Sequence, residues 1–532
     1  MPKRARRIPL TGLLAAALLL GSASASADPA PARIQLRYEL SSLDPHKFDG
    51  LEEYRVAVDL FEGLTTYSAT DTVLPGIATS WETSEDGLVW TFHLRADAVW
   101  SDGAPLTAED FLYSFRRALD PATASPYVLA LLPIVNAGEI SAGKEKDLTK
   151  LGVAALDPHT LRITLTSPTP WFLALLTGQA AMPVPRQAVE KWGDQWTQPA
   201  HMVTNGAFTL KNWVPLGEID LARNPRYHDA ASVKLAEVDY MLADDTKAAL
   251  KRYEAGELDV TAVLGQDLPR MQRERPTELR SYPLLATGYF TVNMSRAFGA
   301  DARVRQALAM VIDREVLDNQ VVRRGQLAAY GLIPPSMPGY AAQRPDWADL
   351  PMPERIKRAR QLLADAGVTA PLKVHVLSPK QDLSQLYTRA IFEMWRTALG
   401  VESEEEAIEP RIFDGRVTHH DFEFAFHSWY ADYADPWTFF ANYRTDAADL
   451  NYGSYSNPKY DALLEQSRTI ADPAKRMAVL EEAERLLLVD QPIIPIDFIV
   501  TQSLVSARLR GFENAPLGIH PDRFLSLVEE RG

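Results

Sequence analysis

The sequence predicts a mixed α/β protein that folds into more than one domain. The chain has 532 residues, of which 46% are hydrophobic, and this is too long for a single hydrophobic core of ordinary size. Stretches with strand periodicity and stretches with helix periodicity follow one another, without a fixed-period repeat or a low-complexity linker. We therefore expect two or three domains in which helices pack against β-sheets.

The first clear pair of elements is a strand followed by a helix near residue 100. Residues 89–94 read VWTFHL, in which apolar and polar side chains alternate as in a strand. The Ser-Asp-Gly sequence ending at Gly103 is typical of a turn, and Thr107 with Asp110 three residues later has the pattern of a helix N-terminus. Apolar spacing continues this predicted helix through Phe115.

Later segments repeat the alternation of helix and strand. In three of them, apolar side chains recur three and four positions apart, as in helices that pack on a sheet. These predicted helices span residues 303–312, 356–366 and 473–489. The predicted strands between and after them span residues 372–377 and 493–500. Helices on the faces of sheets favour ligand sites in crevices between elements or between domains.

The N-terminus has the features of a secretory signal. Four of the first seven residues are basic, and residues 10–20 form an apolar run that is too short to span a membrane. Ala25-Ser-Ala27 is a small-x-small cleavage pattern, so we expect the mature chain to begin at Asp28. The chain has no Cys, which excludes a lipid anchor on cysteine, a disulfide framework and thiol chemistry. These features predict an exported protein without a stable membrane anchor.

The charge balance argues against a nucleic-acid partner. The chain carries 55 basic and 70 acidic side chains, and removal of the four basic residues of the signal changes its net charge from −15 to −19. A polyanion would be repelled at long range, and no basic stretch interleaved with aromatic residues offsets this. We interpret the acidity mainly as a source of solubility, with attraction of cationic peptides as a secondary possibility.

Motifs for catalysis or metal binding are weak. The segment from Gly138 to Lys144 resembles a phosphate-binding loop, but Glu145 stands where that loop needs Ser or Thr. His419 and His420 are adjacent, and adjacent side chains usually diverge. No His-Glu-x-x-His, Gly-x-Ser-x-Gly or Cys nucleophile is present. The sequence therefore predicts no enzyme, no cofactor and no metal site.

A set of short phrases resembles the periplasmic oligopeptide-binding proteins, the peptide branch of the extracellular solute-binding proteins. Each phrase is weak alone, but together they cover nearly the whole mature chain in the family's order. They are Ser42-Leu-Asp-Pro-His-Lys47, Asp59-Leu-Phe-Glu-Gly-Leu64, Pro75-Gly-Ile-Ala-Thr-Ser-Trp81, Trp90-Thr-Phe-His-Leu-Arg95, Trp100-Ser-Asp-Gly103, Trp196-Thr-Gln-Pro199, Val203-Thr-Asn-Gly-Ala-Phe208, Gly256-Glu-Leu-Asp259, Val304-Arg-Gln-Ala-Leu308 and Trp429-Tyr-Ala-Asp-Tyr433.

The resemblance implies a periplasmic binding protein-like α/β fold with three domains. Two hinged lobes close on a ligand in the cleft between them, and a further domain is inserted in the first lobe. After a signal peptide at 1–27, the expected first lobe is discontinuous and comprises 28–65, 200–285 and 500–532. The inserted domain is expected at 66–199, and the second lobe at 286–499.

The resemblance also implies where a peptide would be bound. An Asp in the Trp-x-x-Asp-Tyr phrase holds the α-ammonium group in the family, and this role falls on Asp432. Asp49 stands where the resemblance puts an acidic cleft residue, here Asp rather than Glu. Trp429 and Tyr430 would wall side-chain pockets, although an aromatic residue beside a strand is as often part of the core. Asp435 more simply serves the turn before Pro436.

The resemblance also places Tyr289 and Asn293 near the hinge and the edge of the cleft. Either residue could instead have a structural role. One position departs from the family pattern. Phe426 stands where peptide receptors often carry an Arg that can hold a ligand carboxylate, and His427, which follows it, offers only a weak, pH-dependent charge. The preferred peptide length and the carboxylate-binding residue therefore stay open.

The resemblance thus implies a monomeric receptor that captures short peptides and delivers them to a membrane-embedded ABC importer. A receptor for murein peptides, or for another solute such as a sugar, an opine or a metal chelate, is the main alternative on the same fold. An exported hydrolase that uses scattered carboxylates is a further alternative from a different class, and a turnover assay separates it from a receptor.

Overall fold

Strands and helices alternate along the whole of the described chain. The structure is a computed structural model that describes residues 30–296, 299–369, 371–447 and 450–528, so the expected signal peptide lies outside the described residues. All of the elements belong to the compact unit Pro31–Gly532. The strands are β1 Ala32–Leu36, β2 Thr65–Tyr67, β3 Val73–Pro75, β4 Ala78–Thr83, β5 Val89–Leu94, β6 Val153–Asp157, β7 Thr160–Thr164, β8 Phe208–Val214, β9 Glu218–Arg223, β10 Glu237–Leu242, β11 Val260–Ala262, β12 Leu279–Val292, β13 Leu327–Ala328, β14 Lys373–Pro379, β15 Glu402–Ile408, β16 Phe424–Tyr430, β17 Ile493–Val505, β18 Leu509–Arg510 and β19 Ser526–Leu527.

The helices pack on these strands and between them. They are α1 Leu51–Leu60, α2 Ala108–Leu119, α3 Ala137–Ser141, α4 Phe172–Leu175, α5 Arg186–Trp192, α6 Thr246–Glu254, α7 Leu268–Glu274, α8 Ala302–Met310, α9 Arg314–Val316, α10 Met352–Asp365, α11 Asp382–Leu399, α12 Pro410–Thr418, α13 Trp437–Phe440, α14 Pro458–Thr469 and α15 Pro473–Asp490. A π-helical turn, Leu317–Val322, follows α9.

The largest sheet has two parts that are joined through two long strands. Its order is β15-β14-β16-β12-β17-β11-β1-β10-β9-β8, and β13 adds to β17. We call β11, β1, β10, β9 and β8 the first half-sheet, and β16, β14 and β15 the second half-sheet. β12 pairs with β16 of the second half-sheet, while β17 pairs with β11 of the first. The antiparallel pair β12 and β17 therefore connects the two half-sheets.

This connecting pair is irregular in its middle. β12 has 14 residues and β17 has 13, and their register shifts between Pro283 and Thr287 and again between Gly288 and Tyr289. Such bulges bend and twist a strand locally. The register shifts lie where the pair passes from one half-sheet to the other.

The local elements predicted from periodicity are confirmed, some with changed ends. The strand over residues 89–94 is β5, in the separate sheet β4-β5-β7-β6. The helix after it is α2, which extends beyond Phe115 to Leu119 and begins with the expected capping box: the backbone N–H of Thr107 donates to Asp110 Oδ2 at 2.7 Å. The other predicted segments correspond to α8, α10, α15, β14 and β17.

A close backbone contact requires glycine at position 206, in the segment from Val203 to Phe208. Gly206 lies against the end of α1, where a Cβ atom would come within 2.4 Å of the Asp59 carbonyl oxygen. Its backbone N–H donates to the Leu60 carbonyl at 2.8 Å. A larger residue at 206 would force α1 away from β8, so this contact fixes how α1 sits on the first half-sheet.

Candidate functional site

A large cavity lies where the two half-sheets, α1 and the connecting strands meet. Its volume is about 730 Å³. It is bounded by residues of α1, of β11 in the first half-sheet, of β16 in the second, and of β17 between them. Polar and charged residues on its wall include Arg37, Asp49, Glu52, Arg55, Tyr127, Arg324, Tyr387, Tyr430, Asp432 and Asp497. A cavity of this size and composition is suited to a small polar ligand.

Asp432 presents a carboxylate to this cavity and is held by neutral donors. The Tyr127 hydroxyl donates to its Oδ1, and the Thr438 hydroxyl donates to its Oδ2 at 2.8 Å. Its own backbone N–H donates to the Thr438 hydroxyl at 3.2 Å. The Asp432 side chain reaches the cavity, but the surrounding protein removes much of its water, and this desolvation raises its pKa. The hydrogen bonds from Tyr127 and Thr438 act in the opposite direction and lower the pKa, but by less.

Among the described residues, the side chains that hold the Asp432 carboxylate are neutral. Within the described ranges, no Lys, Arg or His side chain forms an ion pair with Asp432. Its oxygens accept from two hydroxyl groups but keep capacity for further donors. A positively charged group that entered the cavity would therefore gain a charge-assisted hydrogen bond there.

The turn that carries Asp432 is fixed from behind by a buried ion pair. Asp435 accepts from Arg476 of α15 through both oxygens, at 2.6 and 2.8 Å, and also from the backbone N–H of Trp437 at 2.9 Å. The Arg476 guanidinium lies 5.2 Å from the centre of the Trp171 ring. Asp435 therefore serves the turn, in line with the sequence-based interpretation.

Three of the predicted site residues line the cavity together: Asp432, Tyr430 and Asp49. Tyr430 is 54% exposed, so its ring is available as a wall for a ligand. Asp49 is exposed just before α1. The structure thus brings together, on one cavity wall, residues that are far apart in the sequence.

The other four predicted residues do not line the cavity, and strand geometry explains two of them. Successive side chains of a strand point to opposite faces. In β16, Phe426, Ser428 and Tyr430 face the cavity, whereas His427 and Trp429 point to the other side. Trp429 is half-buried against the main hydrophobic core.

His427, Tyr289 and Asn293 form structural contacts instead. The His427 ring bonds to the Thr291 hydroxyl at 2.7 Å and lies 4.7 Å from the Tyr289 ring, and burial lowers the pKa of His427 to about 4. Tyr289 is 2% exposed. Asn293 donates to the carbonyls of His420 and Phe422 at 2.9 and 3.0 Å. These contacts position β12 and β16 rather than reach the cavity.

Several residues on the cavity wall carry no signal in the sequence. Tyr127, which holds Asp432, stands in no motif. Arg55 and Arg324 look like ordinary surface charges in sequence. Asp497 and Tyr387, which also line the cavity, hydrogen-bond to each other, and burial raises the pKa of Asp497 to about 6. Long stretches of chain separate these residues, so no local pattern could have identified them.

The described residues offer no built metal site. This part of the chain contains no group of three or more His, Asp or Glu side chains arranged to hold a metal ion. The His419 and His420 rings each bond to a backbone carbonyl, of Gly415 and Tyr452 respectively. Over the same residues, no helix is long and apolar enough to cross a bilayer.

Comparison with known proteins gives consistent matches over nearly the whole chain. Residues 72–451 match the model of the bacterial extracellular solute-binding proteins, family 5 middle. The chain is 39% identical over 515 residues to the periplasmic oligopeptide-binding protein OppA of Salmonella typhimurium, which covers 93% of this chain and 94% of that protein. It is 36% identical over 511 residues to the probable deoxycholate-binding periplasmic protein YgiS of Escherichia coli, with 94% and 95% covered.

Solved structures agree with these sequence matches. The unliganded open form of the periplasmic murein tripeptide-binding protein MppA is similar with a TM-score of 0.82 and 33% identity, over 93% of this chain and 97% of that one. OppA of Burkholderia pseudomallei gives a TM-score of 0.80 and 33% identity, over 94% and 100%. The predicted two-lobed α/β fold is confirmed, whereas the domain boundaries stay a prediction. The chain belongs to the bacterial extracellular solute-binding proteins of family 5.

Proposed function

We propose that this protein captures short peptides outside the cytoplasmic membrane and delivers them to an ABC importer. The observation that carries the proposal is Asp432, a carboxylate on the cavity wall held by Tyr127 and Thr438 and without a cation of its own among the described residues. Relatives named as oligopeptide-binding and murein peptide-binding proteins support the same class of ligand.

The α-ammonium group of a peptide is the cation that Asp432 would accept. Every unmodified peptide has this group, so recognition through it does not depend on sequence. Hydrogen bonds between the ligand's backbone and the cavity wall would add affinity, while water in a cavity of about 730 Å³ tolerates varied side chains. Micromolar binding corresponds to roughly −8 kcal/mol, which a few such contacts supply after the ordering costs.

The proposal includes the location and the mode of action. The protein works in the periplasm as a monomer. It binds and releases the peptide unchanged, so that peptide incubated with the protein is recovered intact by mass spectrometry. The two lobes close on the peptide by bending of the pair β12 and β17.

The test is calorimetric titration of protein that has been unfolded and refolded to remove carried ligand. A free tripeptide is expected to bind wild type, and Asp432→Asn is expected to weaken it at least about 30-fold, because loss of one partner of a desolvated charge pair costs about 2–5 kcal/mol. N-acetylation of the peptide is expected to have the same effect on wild type and little effect on the variant. Asp346→Asn, at an exposed ion pair with Arg358, is the matched control and should bind normally.

The same titration decides between ligand classes. If the acetylated and free tripeptides bind wild type equally well, recognition through Asp432 is wrong. If only a murein tripeptide binds, the receptor is specialised for murein peptides. Binding of deoxycholate, with no binding of either peptide, would remove the proposed function while leaving the fold and the family as they stand.

A further inference from the structure

Arg324 is a cation on the cavity wall that has no acidic partner of its own. Within the described ranges, its guanidinium forms no ion pair and no hydrogen bond. The residue is half-buried, and none of its nitrogen atoms is shielded from solvent. All five N–H donors of Arg324 are therefore accessible to an acceptor that enters the cavity.

The backbone and the aliphatic stem of Arg324 are held in place. Gln502 of β17 donates through Nε2 to the Arg324 carbonyl at 2.5 Å, and the nearby Gln326 side chain accepts from the backbone N–H of Val500. The stem lies against Gly265, where a Cβ atom would come within 2.4 Å of Arg324 Cγ. These contacts fix where the side chain begins and leave its charged end free.

Asp497 is the carboxyl group on the cavity wall that Arg324 influences, but the two side chains form no ion pair. Burial raises the pKa of Asp497 to about 6, while the Tyr387 hydroxyl and the charge of Arg324 lower it. Asp497 accepts its hydrogen bond from Tyr387. Arg324 thus acts on Asp497 through space and keeps its own donors for another acceptor.

The other basic groups on the cavity wall are engaged or neutral. Arg37 forms an ion pair with Glu52 at 2.5 Å. Burial acts to lower the pKa of Arg55, but neighbouring groups, Glu52 among them, raise it overall, and its Nε and Nη2 atoms are shielded from solvent. Burial lowers the pKa of His520 to about 3, so this ring is uncharged at neutral pH. Arg324 is therefore the wall cation best placed to meet an anion.

The sheet order places Arg324 and Asp432 on opposite sides of the pair β12 and β17. Asp432 follows the end of β16, Arg324 precedes β13, and the strands run in the order β16-β12-β17-β13. Neighbouring strands are about 4.8 Å apart, so three spacings separate the backbones of β16 and β13 by about 14 Å. An extended tripeptide spans about 10 Å, a length that two side chains reaching inward from these positions would match.

We propose that Arg324 binds the C-terminal carboxylate of the peptide whose α-ammonium group is held by Asp432. This inference rests on the proposed function, since it assigns the second charged end of the same ligand. A guanidinium presents its donors in a fixed fork that matches both oxygens of a carboxylate. Phe426 stands where an Arg could have held this group, and Arg324 supplies the missing positive charge from another wall of the cavity.

The test compares a free tripeptide with its C-terminal amide in calorimetric titrations of refolded protein. Amidation is expected to weaken binding to wild type about 10-fold or more, the range expected for hydrogen bonds to charged groups. In Arg324→Gln, both peptides should bind with the affinity that wild type has for the amide, within about threefold. Arg324→Lys should keep part of the penalty, because it keeps the charge but loses the fork.

Arg323→Gln is the matched control, because it removes the same charge one residue away. Arg323 is exposed and does not line the cavity, so the full amidation penalty should persist in this variant. Binding of the amide to Arg324→Gln also shows that Arg324→Gln is folded.

Three results would overturn the role of Arg324. They are equal binding of peptide and amide by wild type, an amidation penalty that survives in Arg324→Gln, and an equal loss of the penalty in Arg323→Gln, which would indicate a general effect of charge. Acetylation tests the proposed function separately. A wild type that is sensitive to acetylation but not to amidation retains the proposed function and loses the role of Arg324.

Discussion

Replacement of Arg476 with Met is expected to lower the melting temperature by about 5 °C or more, although Arg476 does not line the cavity. The substitution leaves the Asp435 carboxylate buried without its two charge-assisted hydrogen bonds. Breaking a buried ion pair from one side costs about 3–5 kcal/mol. We expect the affinity for peptide to fall as well, because the turn from Asp432 to Thr438 is held through Asp435.

The double variant Arg476→Met with Asp435→Asn distinguishes the destabilisation caused by an unpaired charge from that caused by lost packing. It should recover part of the lost stability, because no charge is then left without a partner. Arg358→Met is the control for an exposed pair, with Asp346, and should shift the melting temperature by less than about 1 °C. Equal melting temperatures for Arg476→Met and Arg358→Met, measured by circular dichroism, would contradict the assignment.

Local elements could be predicted from sequence wherever short-range patterns decide the structure. The alternation of residues 89–94 predicts β5, and the spacing of Thr107 and Asp110 predicts the start of α2, because both depend on neighbours within a few residues. β12 was not predicted as a 14-residue strand. Its two register shifts depend on pairing with β17, more than 200 residues later, which periodicity does not report.

Residues of the candidate site could be predicted only where they belong to a recognisable sequence motif. Asp432 and Tyr430, which line the cavity, are singled out by the sequence because they belong to one motif on β16 and the following turn. The same motif placed Trp429 at the site, and strand alternation turns that side chain to the other face. Tyr127 was missed because it is 305 residues from Asp432 in sequence, and Arg324 because its place on the cavity wall is a property of the folded protein.

The stability of the protein is expected to fall between pH 5 and pH 8, and Asp318 is expected to be a main cause. Asp318 lies in the π-helical turn Leu317–Val322 and is 2% exposed, and neither of its oxygens has a donor among the described residues. Burial, and secondarily the charge of Asp497, raise its pKa to about 8, while Arg314 lowers it and Glu315 raises it slightly. The ordinary value is 3.8.

The direction of the effect is set by the raised pKa of Asp318 in the folded protein. Below about pH 4 the carboxyl is protonated in both the folded and the unfolded chain, and its contribution to stability is fully present. Between about pH 4 and pH 8 the unfolded chain releases the proton but the folded chain retains it, so stability is lost as the pH rises toward the folded pKa. Asp318→Asn removes this titration and should raise stability at pH 8 by at least about 2 kcal/mol, with a smaller change at pH 5.

Melting temperatures of wild type and Asp318→Asn at pH 5, 6, 7 and 8 measure the effect. The two curves should be closest at pH 5 and several degrees apart at pH 8, with the variant higher. Some slope should remain in the variant, because burial also raises the pKa of Asp71 and Glu484 to about 7. Asp349→Asn, at an exposed pair with Arg344, should follow wild type at every pH. Parallel curves for wild type and Asp318→Asn would mean that Asp318 is ionised in the folded protein, with its charge balanced by Arg314.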